Sequence, residues 1–183
     1  MANPLAVWHT DHIHFARLLD LLEQQVSAFH REEPPNYGLM GTIIGYLRKY
    51  GDLVHHPRED VAYALIVDRE PGMRIVLSRL LQEHRVIATV GEELLNRLHE
   101  AENEIVTSRT ALEAAAAMYL VYYRNHLFTE EKQVMPRAAQ LLTEEDWAEI
   151  AATDPASSDP LFGANVEERF STLRQQIDAE AKA

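Results

Sequence analysis

The sequence predicts an all-α protein, an antiparallel up-down four-helix bundle with additional C-terminal helices. Three observations predict it. Four stretches repeat apolar residues at steps of three and four, short connections join them, and no stretch alternates apolar with polar residues as a half-buried strand would. At 183 residues the chain suits a bundle over residues 1–140 and a helical extension over residues 141–183, which packs on the bundle or on a partner subunit.

Asn3 and Pro4 offer a cap and a first position for the first helix, with Thr10 as an alternative cap. That helix runs to about residue 30 and turns Phe15, Leu18, Leu19, Leu22, Val26 and Phe29 to one side, until Pro34 and Pro35 end it. The second starts near Leu39 and carries Ile44, Leu47, Gly51, His55, Glu59, Ala62 and Ile66 at helical spacing. Pro57 falls inside it, removes a backbone hydrogen bond and presses on the carbonyl of Leu53, so a kink is expected there. The third, from about Met73 to Leu98, places His84 in a stripe with Leu77, Leu80, Leu81, Ile87, Gly91, Leu94, Leu95 and Leu98. The fourth covers roughly residues 105 to 139, with Ser108 or Thr107 near its start and the stripe Leu112, Ala116, Tyr119, Tyr123, His126, Glu130, Val134. Thr143 can cap a short helix containing Trp147 and Ile150. After a turn-rich link, Asn165 with Glu168 forms a capping-box-like start for a tail helix with Val166, Phe170, Leu173 and Ile177 on one face.

A net charge of −12 excludes nucleic acid and anionic membrane as partners and favours cations. The chain has no cysteine, so disulfides, thiolate metal sites and cysteine nucleophiles are ruled out, and a metal would be held by nitrogen and oxygen. Iron, manganese and zinc all accept such donors. The N-terminus has no signal-peptide pattern and no stretch approaches ~18 apolar residues, so a soluble cytoplasmic protein is expected.

Polar residues in the stripes carry the functional signal. His55 and Glu59 are four apart, as are His126 and Glu130. His12 precedes His84 by 72 residues, His55 precedes His126 by 71 and Glu59 precedes Glu130 by 71. The chain reads as two halves, each a helix with one His followed by a helix with His-x-x-x-Glu. A lone buried His is more often a hydrogen-bonded core residue, and a lone His–Glu pair on a helix surface is worth only about 0.3–0.5 kcal/mol. The doubled spacing favours a metal role for the set. A buried carboxylate needs a cationic partner, and inward residues of four helices converge at one level. His12, His55, Glu59, His84, His126 and Glu130 would give four imidazoles and two carboxylates, enough for two metals with open positions. Periodicity does not separate His12 from His14. His56 stands as an extra metal ligand that Pro57 can rotate toward the site. His9, His30 and His99 are read as solvent-facing.

These residues resemble the hemerythrin-like proteins, or HHE cation-binding domain, over about residues 5 to 140. The resemblance is carried by DHIHFARLLDLLE, HHPREDVAY, LLQEH and HLFTEEKQVMP, the last continuing into AAQLLTEEDW as in the bacterial branch. It implies His12 as the first-helix ligand, followed by His55, Glu59, His84, His126 and Glu130. It also implies two non-haem irons bridged by carboxylates and an oxo or hydroxo group. The sequence departs from the oxygen carriers at Ala88, where they have a second His one turn after the third-helix His. Its fourth-helix acid also follows its His more closely than theirs. Reversible oxygen storage is therefore not expected, and His56 is left as the open candidate for the missing nitrogen. The expected function is binding of, or reaction with, dioxygen, peroxide or nitric oxide in sensing, detoxification or iron handling, with a homodimer admitted through the tail helix. The alternatives are a metal-free helical interaction module and a ferritin-type oxidase. The latter wants Glu-x-x-His pairs, and none of the nine histidines has Glu three residues before it.

Overall fold

Each apolar stripe becomes the inward face of a helix, and the four faces close on one another because each can leave water only against the others. The computed structural model describes residues 4–31, 33–103, 108–153 and 158–180. Helix α1 (Pro4–His30) is followed by α2 (Tyr37–Tyr46), a π-helical segment (Leu47–His55) that continues it, and α3 (His56–Arg69). A 3-10 turn (Pro71–Met73) leads into α4 (Arg74–Glu102). Then come α5 (Arg109–Thr129), a second π-helical segment (Glu130–Val134), α6 (Met135–Leu141), α7 (Glu144–Ala152) and, after a further 3-10 turn, α8 (Ser171–Glu180). Among the described residues there is no strand, and no helix is long and apolar enough to cross a membrane.

Helix α5 packs on α1 and α4, and α2 packs on α4. One core cluster, including Phe15, Leu18, Ile44, Leu94 and Tyr119, fills one end of the bundle. A second, around Trp8, Tyr63, Leu77, Leu80 and Val134, fills the other. Two close approaches need glycine: a Cβ on Gly51 would stand 2.7 Å from the Tyr123 hydroxyl, and one on Gly91 would stand 2.9 Å from the Tyr119 ring.

The kink expected at Pro57 takes the form of a π turn. The His56 N–H donates to the carbonyl of Gly51, five residues back. The Met135 N–H likewise donates to Glu130, just ahead of Pro136. Proline offers no N–H and crowds the carbonyl four residues before it, and a widened preceding turn lets the helix continue.

Several helix starts also differ from expectation. Asn3 and Thr107 lie outside the described residues. Thr10 sits within α1, its hydroxyl donating to the carbonyl of Ala6, and Ser108 caps α5 by accepting from the Ala111 N–H. Thr143 and Asp146 form a full capping box on α7. Asn165 does not start the tail helix. Asp159 instead accepts from the amides of Leu161 and Phe162, both at 2.8 Å, and the Glu167 N–H donates to Pro160. This coil delays the helix to Glu168–Phe170 and leaves Val166 exposed. Phe170, Leu173 and Ile177 are buried in the first core cluster, so the apolar face of α8 is used within the chain.

Candidate metal centre

Seven polar side chains meet between the two core clusters. They are His12 on α1, His55 at the end of the first π segment, His56 and Glu59 on α3, His84 on α4, His126 on α5 and Glu130 at the start of the second π segment. None is more than 7% exposed. His14, which periodicity ranked beside His12, lies outside the cluster, its ring stacked on Phe162 at 3.8 Å. The π turn explains how two consecutive histidines both face inward. Successive side chains diverge by about 100° in an α-helix and by less in the wider π turn. His56 stacks on His84, ring centres 4.2 Å apart and planes within 8°.

Each imidazole has its Nδ1 against a carboxylate. The distances are 2.7 Å from His12 to Glu131, 3.0 Å from His55 to Asp11, 2.7 Å from His84 to Asp60, 3.1 Å from His126 to Glu83 and 3.5 Å from His56 to Asp52. A carboxylate at Nδ1 fixes the proton there and leaves the Nε2 lone pair for the interior. Nε2 atoms then face one another at 3.1 Å, in His12 with His55 and in His84 with His126. Two lone pairs at that distance repel unless a cation stands between them or a proton joins one. His56 Nε2, Glu59 Oε2 and Glu130 Oε2 are buried without a hydrogen bond. These orphaned acceptors, all aimed into one space, fit a divalent cation.

The donors fall into two sets, His56–Glu59–His84–His126 and His12–His55–Glu59, each with ligand atoms within 4.8 Å of one another. Glu59 belongs to both. Glu130 lies between them, with Oε2 3.5 Å from His12 Nε2 and 3.3 Å from His126 Nε2. Two further side chains hold these carboxylates: the Trp8 indole N–H donates to Glu59, and the Tyr63 hydroxyl donates to Glu130.

The electrostatics favour positive charge. Burial works against a charged His12, but Glu131 and Glu59 outweigh it and hold its pKa up to about 10. Burial likewise opposes charge on His84 and His126, yet Asp60 and Glu130 in the first case and Glu130 in the second raise them to about 11 and about 9. Burial pushes Glu59 upward, and the imidazoles of His55, His12 and His84 overcome this to keep it well below the usual carboxylate range. His56 is the exception. Burial and the neighbouring His84 depress it, so its nitrogen stays a neutral donor.

The Hemerythrin HHE cation binding domain family model matches residues 3–138. The chain belongs to the hemerythrin family. No curated protein matches it. The second-helix motif of this chain turns consecutive histidines, His55 and His56, to the same interior. Ala88, on α4, leaves that helix with a single imidazole in the cluster.

Sequence reasoning missed the acids behind the imidazoles. They form a closed ring: Asp11 of α1 serves His55, Asp60 of α3 serves His84, Glu83 of α4 serves His126, and Glu131 of the second π segment serves His12. The signal was present, since Asp11 precedes Glu83 by 72 residues and Asp60 precedes Glu131 by 71, matching the histidines they adjoin. Trp8 and Tyr63 have no such counterparts. Seventy-two residues after Trp8 stands Leu80, and 71 after Tyr63 stands Val134.

Proposed function

We propose that the protein holds two non-haem iron ions and binds or reacts with dioxygen, peroxide or nitric oxide, in a cytoplasmic role of sensing, detoxification or iron handling. The observation that carries this reading is the pair of overlapping donor sets sharing Glu59, with four of the five imidazoles each oriented by a carboxylate. His56, His84 and His126 would hold one ion and His12 and His55 the other, with Glu59 and Glu130 common to both. Bound iron supplies a redox-active Lewis acid able to take up a small diatomic or peroxide ligand.

The chain's own residues prepare the site. The four carboxylates hydrogen-bonded at Nδ1 of His12, His55, His84 and His126 keep those Nε2 lone pairs inward. The Trp8 N–H and the Tyr63 O–H fix the rotation of Glu59 and Glu130. Three imidazoles stand on one side and two on the other, so the His12–His55 side would offer an ion fewer nitrogen donors and leave more room for a small ligand. That side borders a cleft lined in part by His55 and Glu59, and Trp8 stands between it and His12.

Elemental analysis with an absorption spectrum tests the proposal. The expected result is two irons per chain and a near-UV oxo-to-iron charge-transfer band; a protein that stays metal-free after iron reconstitution overturns it. The alternative of a metal-free module predicts that His55→Ala and His126→Ala leave thermal stability unchanged whatever the metal present. Under the metal reading both variants lose iron and stability together.

A further inference from the structure

Beside the metal centre lies a cleft of about 790 Å³, walled by Val7, Trp8, Leu142, Trp147 and Ile150, with His55 and Glu59 at its floor. Its volume falls within the roughly 300–1,000 Å³ of small-molecule sites, and like those sites it combines apolar walls with a few polar groups. One wall comes from α1 and the opposite wall from α7, outside residues 3–138 that match the family. Arg69 pairs with Asp146 at 2.7 Å and so pins α7 to α3. The indoles of Trp8 and Trp147 meet edge to face, ring centres 6.0 Å apart. We infer that this cleft binds an uncharged aromatic molecule against the paired indoles, next to the two-histidine side of the metal centre.

Charge selects the ligand class. The cleft presents Asp11, Glu59 and Glu144 against Arg58 and His55, in a chain of net charge −12, so an anionic ligand meets excess negative potential. The two inner acids are engaged elsewhere. Asp11 accepts from Tyr50 and faces His55, and Glu59 accepts from Trp8. A cationic ligand would therefore have to break those contacts while approaching the Arg58 guanidinium. A neutral arene gains instead from the indole faces and edges and from the aliphatic wall. Trp8 also couples the two sites, since its ring lines the cleft while its N–H holds Glu59. Occupancy of the cleft would then be felt at the carboxylate shared by both donor sets.

Trp8 and Trp147 are the only tryptophans in the chain, so its proton–nitrogen correlation spectrum carries two indole signals, both from this cleft. The test titrates the full chain at pH 7 with three probes of one shape: 4-methylphenol (neutral), 4-methylbenzoate (anionic) and 4-methylbenzylammonium (cationic). The expected result is saturable shifts of both indole signals with the phenol, and binding at least tenfold weaker for both charged probes. Trp147→Ala should weaken phenol binding at least tenfold while leaving metal content unchanged. Ala148→Phe fills the cleft from its exposed rim without opening a core cavity, and should do the same if Trp147→Ala does not fold. Indole signals that do not move up to the solubility of the phenol overturn the inference, as does equal or tighter binding of a charged probe. Arene binding does not require iron, so the titration is run on metal-free protein, where its failure leaves the metal-centre proposal standing. In metal-loaded protein, the phenol should also perturb the visible spectrum, and Trp8→Phe should abolish that perturbation but retain binding.

Discussion

The two halves of the bundle begin from the same arrangement and end with different donor sets. In the first, an acid–His pair on α1 is followed by His55, His56, Glu59 and Asp60. In the second, an acid–His pair on α4 is followed by His126, Glu130 and Glu131. The counterpart of His56 in the second half is Leu127, an apolar core residue. Where the π turn falls makes the difference. In the first half it runs into the motif and ends at His55, ahead of Pro57, and brings both histidines inward. In the second it begins at Glu130, after the histidine, and turns only the carboxylate. A local change of helical pitch, tied to the place of one proline, thus separates a three-imidazole side from a two-imidazole side.

The largest effect is expected at the residue the halves share. Glu59→Gln keeps the volume but removes the negative charge common to both donor sets, so metal content should fall from two ions per chain to fewer than one. Breaking a buried ion pair from one side costs about 3–5 kcal/mol, so the variant should also melt well below the parent. Elemental analysis and a thermal melt check both.

His56→Leu makes the first half resemble the second. It should weaken one of the two ions and spare the other, seen as two separated steps in a metal titration. Equal loss of both ions would show that the halves are not distinct.

The ring of acids comes next. Asp60→Asn behind His84 and Asp11→Asn behind His55 should each lower metal affinity by about 10–100-fold, the usual effect of removing an orienting carboxylate from a metal-bound imidazole. Asp60→Asn should act on the three-imidazole side and Asp11→Asn on the other, which competition with a chelator can resolve.

Stability against pH gives a smaller effect. In metal-free protein His12, His84 and His126 are held up to about 10, 11 and 9, above the ordinary value of 6.5. A group with a raised folded-state pKa stabilises fully below the unfolded value, and that contribution is lost as pH rises through the folded value. The metal-free Tm should therefore fall between about pH 6.5 and 11. Metal-loaded protein, in which cations take the place of those protons, should hold its Tm further into that range. A metal-free Tm that rises across the range would contradict the account.

Much of this was legible in the sequence. The stripes that set the four helices, and the doubled His-x-x-x-Glu, depend only on local periodicity, and the inward residues they name are buried except Leu81 and Leu95, which lie at the edge of their stripe and are half-buried. What stayed hidden depends on geometry between helices or on pitch. The acids behind the imidazoles sit beside one histidine in sequence and serve another in space. His12 and His14 were tied because periodicity sees one helix at a time; the tie is broken by Phe162 of the C-terminal extension, which takes the ring of His14. The π turns leave no compositional trace beyond the prolines that follow them. Asn165 looked like a cap because its spacing to Glu168 was right, but the coil held by Asp159 moved the helix start beyond it.

The central claim is that the two donor sets hold a cation pair through one shared carboxylate. The most direct measurement is a calorimetric titration of metal-free protein with iron(II) under anaerobic conditions, run in parallel on Glu59→Gln. The account predicts two equivalents bound by the parent, in unequal steps, and fewer than one by the variant. A parent that binds none, or a variant that still binds two, would contradict it.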